Sequence, residues 1–136
     1  MEILTDLIPQ VQRRYTPEKL RDFVYRELNL QSEDWGPTRE REIVQKKQVA
    51  QFLMKAYFPY LGLKGIASKF QLKTHGVIKS NIRIVKEQLE LETPSSPMTF
   101  TNMVTRVNTQ LKKTLDGIPS MEAGEIYAWA EVVTQY

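Results

Sequence analysis

Apolar residues recur three and four positions apart along most of this chain and nowhere alternate strictly over several residues, so helices rather than strands can bury its hydrophobic surface. Thr16, Pro17 and Glu18 open the first such stretch with a hydroxyl to cap free amides, a proline suited to a first turn and an acid placed for the helix dipole. Leu20, Phe23, Val24 and Leu28 then form its buried face. Residues 31 to 42 carry Gly36 and Pro37 in a polar run and read as a loop, with Trp35 expected to pin it to the core. A second helix starts near Gln45, presents Val49, Phe52, Leu53, Ala56 and Tyr57 on one face, and ends at Pro59. Leu63, Ile66, Ala67 and Phe70 predict a third, short helix from about Gly62, followed by a tight connection through Gln71, Leu72 and Lys73. The fourth runs from Thr74 or His75 to about Leu91 on a stripe of Ile78, Ile82, Val85 and Leu89.

Beyond the break at Thr93, Pro94, Ser95, Ser96 and Pro97, a fifth helix carries Phe100, Met103, Val104, Val107, Leu111 and Leu115, and Gly117 and Pro119 stop it. From Ser120 the spacing of Ile126, Trp129, Ala130 and Val133 suits a last amphipathic helix, against which Gly124 counts. The expected architecture is all-α, a bundle of five or six helices. With 136 residues and 41% apolar content the chain can fill one core, so one domain over 1–136 is expected, with 117–136 as a C-terminal extension.

Several function classes are disfavoured at once. The absence of cysteine removes disulfides, thiolate metal sites and cysteine nucleophiles, and one histidine cannot build a multi-histidine metal cage. Carboxylates are abundant, yet no spacing brings a pair of them, or His75 with a nucleophile, into a recognisable site. A protein that is not an enzyme and uses no cofactor is the expectation. The start, MEILTDLIPQVQRR, has Glu2 and Asp6 where a signal peptide would carry positive charge, and no apolar run approaches membrane-spanning length. A cytoplasmic protein with no membrane partner follows.

Charge supplies the positive indication. Between Thr38 and Lys86 lie eleven of the nineteen Lys and Arg residues against two of the sixteen carboxylates, a net +9, while the remainder of the chain is net −6. An ordinary solvated face mixes signs, whereas residues 43 to 86 contain no acid at all. A polyanion is the matching partner. The short third helix, the turn and the longer fourth helix describe a helix-turn-helix at about 62–89, a unit whose second helix enters the major groove by its N-terminal end. That end offers Lys73, Thr74 and His75, which can hydrogen-bond to bases or phosphates. Lys79, Arg83 and Lys86 are spaced to follow a phosphate strand, and Lys69 closes the third helix. Lys46 and Lys47, read as a basic loop at about 45–48 leading into the second helix, are placed to hold flanking backbone.

The segments REREIVQKKQVAQFLMKAYFPYLGLKGIASKF and QLKTHGVIKSNIRIVKEQLE resemble the C-terminal DNA-binding domain of the bacterial replication initiator DnaA. The resemblance begins near Tyr15 with TPEKLRDFVYRELNL, extends to about Leu115, and implies a helical fold related to the Trp repressor for a core over 15–115. It further implies DNA contacts from Lys47, Lys73 and His75, with double-stranded DNA and replication proteins as partners. Against the family's Gly-Gly-Arg/Lys-Asp-His-Thr/Ser-Thr-Val run this chain has Gln71, Leu72, Lys73, Thr74, His75, Gly76, Val77 and Ile78. The basic residue and the histidine are kept, while both glycines, the aspartate and both hydroxyl residues are lost. Each good base contact carries about 1 to 3 kcal/mol of discrimination, so recognition of the initiator's own sequence is not expected. The family's phosphate-binding loop is not matched either, since Gly62 and Gly65 do not form G-x-x-x-x-G-K-[ST], and no nucleotide is expected. Origin melting by nucleotide-driven assembly is therefore not expected of this chain by itself.

Two readings remain open at this level. One is a stand-alone duplex DNA-binding protein tied to replication initiation or its regulation. The other is a protein-interaction module on the same fold that has lost DNA binding, with the basic face meeting an acidic partner.

Overall fold

Helix α1, Glu2–Arg14, precedes every helix expected from spacing. Leu4, Leu7, Ile8 and Val11 do hold the helical period, but Pro9 stands among them and lacks the amide of an i to i−4 bond. Packing offsets that loss: Leu7 and Val11 are buried in the core, and α1 lies against the third and sixth helices. The computed structural model of the chain describes residues 2–31, 40–70, 72 and 75–115, and no strand occurs among them. The expected tail helix and Trp35 fall outside the described residues, so the sixth helix found is this N-terminal one.

Helix α2, Pro17–Glu27, starts as its sequence dictates. The Thr16 hydroxyl accepts from the Lys19 amide at 3.2 Å, Pro17 sits in the first turn and Glu18 adds its charge there. Its end is a Schellman turn, in which the Leu30 amide donates to the Tyr25 carbonyl and the Asn29 amide to the Arg26 carbonyl. Asn29 holds the left-handed position at φ 60°, and Leu30 behind it is buried.

The central element is α3, Arg41–Tyr57, which packs on all five other helices. Burial all round explains why Gln48 and Gln51 are enclosed together with Val49, Phe52, Leu53 and Tyr57. Each buried polar group has a partner, as burial demands. Gln48 Nε2 donates to Asn81 Oδ1 at 3.1 Å, Asn81 Nδ2 donates to Gln51 Oε1 at 2.7 Å, and the Tyr57 hydroxyl donates to Asn108 Oδ1. Helix α3 begins four residues earlier than Gln45, because Glu42 in its first turn favours the dipole and pairs with Lys46 one turn on. The segment expected as a basic loop is therefore helix.

Helix α4, Leu63–Lys69, and helix α5, Gly76–Leu91, pack on one another and on α3. Between them the Leu72 amide donates to the Ala67 carbonyl at 2.9 Å, drawing the chain back over the end of α4. The α5 stripe is buried as its spacing predicts at Ile78, Val85 and Leu89, with Ile82 only half-buried. Helix α6, Thr99–Leu115, takes its N-terminal cap from a distant side chain. The Glu92 carboxylate accepts from the Phe100 amide at 2.8 Å and the Thr101 amide at 2.9 Å. One cluster of buried apolar residues draws on all six helices.

Candidate nucleic-acid interface

The cationic residues singled out from the sequence divide by environment. Along α5, His75, Lys79 and Arg83 are exposed and Lys86 is half-buried, at successive steps of four, four and three residues that keep them on one flank. The neighbouring stripe of the same helix, about a quarter turn round, holds Ile78, Val85 and Leu89 in the core. Geometry thus confirms the amphipathic division: one face anchored, the other presenting charge. Arg83 makes only a loose contact with Glu87, 3.9 Å on a surface where such pairs are worth about 0 to 1 kcal/mol, which leaves the guanidinium available to an outside anion. His75 occupies the N-cap position of α5 with helical φ and ψ and makes no side-chain cap bond.

Other candidates are engaged within the molecule. Lys69 pairs with Glu18 of α2, and its carbonyl accepts from Arg21 Nη1, so it fastens α4 to α2. That contact holds the Glu18 carboxyl below its ordinary value, first through the hydrogen bond from Lys69. Lys46 is half-buried and lies 3.2 Å from Glu42. Lys47, also half-buried, sits within α3 rather than in a loop. Lys73 and Thr74 lie outside the described residues. Two exposed cations on neighbouring helices escaped the spacing argument: Arg41 on the first turn of α3 and Lys64 on the first turn of α4. Their only sequence signal is membership of the basic block between Thr38 and Lys86.

The position of α5 is set by polar as well as apolar contacts. Asn81, half-buried between Gln48 and Gln51, joins it to α3 by two side-chain amide bonds. Such bonds have directions, so they fix the rotation of α5 about its axis and with it the aim of the cationic flank. Towards the other end of α5 an open groove of about 600 Å³ is lined by Arg41, Val44, Gln48, Ile84, Leu91 and Phe100 among others. It sets one cation, Arg41, against one carboxylate, Glu92, amid apolar, amide and hydroxyl groups, and lies away from His75. Among the described residues no cluster of three or more His, Asp or Glu could hold a metal ion, and no helix is long and apolar enough to cross a membrane.

These observations define an all-helical domain that presents a cationic flank on one helix of a packed pair. Over 89 residues the chain is 34% identical to chromosomal replication initiator protein DnaA of Rickettsia massiliae, and the same values hold for that protein in Rickettsia rickettsii and Rickettsia conorii. The match covers 65% of this chain and 19% of each relative, so the chain spans about a fifth of the length of the curated relatives it matches. No family model and no solved structure matches it. The likeness relates the chain to part of a replication initiator.

Proposed function

We propose that this protein is a non-enzymatic, double-stranded DNA-binding domain related to replication initiation, with α4 and α5 as its helix-turn-helix and α5 as the helix that enters the major groove. The carrying observation is the exposed flank of His75, Lys79 and Arg83 on a helix whose adjacent stripe is fixed in the core. Lys79 and Arg83 suit phosphate contacts, His75 suits a base edge at the entering end, and Lys64 is a further exposed cation on α4, the helix packed against α5. Half-buried Lys46 and Lys47 are placed further along α3 for flanking backbone, with Lys46 giving up Glu42 when phosphate approaches. The similarity to initiator proteins supports replication as the setting and a replication protein as a partner.

Duplex binding measured by fluorescence anisotropy at rising salt tests this. Wild-type protein is expected to bind mixed-sequence duplexes at low salt, and the double substitution Lys79→Glu and Arg83→Glu to abolish binding while leaving the helical circular dichroism unchanged. Absence of binding to every duplex at low salt refutes the reading. The groove beside exposed Leu91 favours the other reading, a protein-interaction module. A partner retained after nuclease treatment, together with no duplex binding, would establish that alternative.

A further inference from the structure

Gly76 and Val77, the exposed pair that follows His75 on α5, are poor choices for the fold that contains them. Gly76 is the first residue of α5, where glycine loses less than the roughly 0.5 to 1 kcal/mol of a helix interior, yet alanine is still the better helix former. A Cβ built on Gly76 meets no atom within 4 Å, and its backbone has no positive φ, so neither crowding nor geometry within the protein calls for glycine there. Val77 is 48% exposed, one of three large apolar side chains left so open among the described residues. A β-branched residue adds nothing to helix propensity at such a place. A bare Cα beside an exposed apolar side chain is what close approach by an outside surface requires, one that carries an apolar group of its own. Within the major groove the thymine C5 methyl is that group, since the other base edges offer only donors and acceptors there.

We propose that the Gly76–Val77 step lets α5 seat closely on an A·T base pair and selects its thymine by packing the Val77 methyls on the C5 methyl. This rests on the duplex-binding reading and adds a base preference to it. Lys79 and Arg83, exposed on the following turns, hold the phosphates while the step reads the base. A methyl contact of this kind replaces the hydrogen-bonding readout for which Gly76 and Val77 have no side-chain polar atoms.

The full-length chain is tested against duplexes selected from a random library, and against the same duplexes with deoxyuridine replacing each thymidine in turn, which deletes only the methyl. At one position or more, uracil is expected to weaken wild-type binding about four-fold, the ratio given by roughly 0.8 kcal/mol for one methyl-sized group. Val77→Ala should weaken the thymine duplex by a similar factor and be indifferent to uracil at that position. Gly76→Ala should keep or raise the melting temperature and yet weaken duplex binding, the reverse of what a purely structural glycine does. Indifference of the wild type to every uracil, a uracil effect that survives in Val77→Ala, or full affinity in Gly76→Ala overturns the proposal and leaves duplex binding standing. Failure to bind any duplex at low salt overturns both.

Discussion

Lysine residues in one charged stretch have different fates here, and their neighbours decide which. Lys79 is exposed on α5, whereas Lys69, in the same acid-free run of sequence, faces Glu18 of α2 and becomes a fastening. The pairing has a pH signature whose sign is fixed by linkage. Because Glu18 is held below its ordinary value when folded, its contribution is present above the unfolded value and is lost as pH falls through the folded one. Glu18→Gln is therefore expected to lower the melting temperature slightly at neutral pH, with the gap from wild type closing in the acid range, as read by thermal unfolding across pH. The pair is partly exposed, so salt should shrink the gap as well. Tyr57 illustrates a side chain with no such freedom: enclosed in the core, its hydroxyl donates to Asn108 and burial pushes its pKa up.

Helices in this molecule begin and end by several devices, and not all of them are local. Thr16 caps α2 from the adjacent position, which sequence alone indicates. Glu92 caps α6 from the far side of a turn of seven residues, through both carboxylate oxygens. A cap of this kind is worth about 0.5 to 2 kcal/mol, with the anion favoured at the positive end of the helix. Glu92→Ala is expected to lower unfolding stability by about 1 kcal/mol, read from the urea midpoint, and Glu92→Gln by less because an acceptor oxygen is retained. The extension of α3 back to Arg41 follows the same logic, since Glu42 serves its first turn and pairs with Lys46. A loop was expected there because Gly36 and Pro37 end any helical reading upstream, and the polar run after them carries no apolar stripe to reopen it. Helix α1 was hidden by Pro9, whose cost is met by the packing of Leu7 and Val11 against α3 and α6.

At the scale of the whole molecule, two opposed charge blocks give a small total of +3 that conceals a basic region of +9. Folding reduces the part of that region available to a polyanion, since Lys69 and Lys46 are tied to acids drawn from α2 and α3. Three cations on α5, Lys79, Arg83 and Lys86, remain as the continuous flank. Each phosphate neutralised contributes about −0.9 to the slope of log affinity against log salt. If those three carry the phosphate contacts, a slope of about −3 is expected, and Arg83→Gln should reduce its magnitude by about one. A titration series at several salt concentrations checks both values.

Much of the fold was written in the chain. The period of three and four fixed an all-helical protein, and the stripes of α2, α3, α4, α5 and α6 named most of the core, because burial of an amphipathic helix depends on spacing that any sequence displays. The basic block was legible from composition, and the spacing of Lys79, Arg83 and Lys86 put three of its cations on one flank of α5. Tertiary structure decided which charges stay in solvent, where α3 begins, that α1 forms across a proline, and how Asn81 turns the α5 flank outward between Gln48 and Gln51. These depend on residues far apart in the chain meeting in space, such as Glu18 with Lys69 or Glu92 with the first turn of α6, and periodicity carries no record of such pairs.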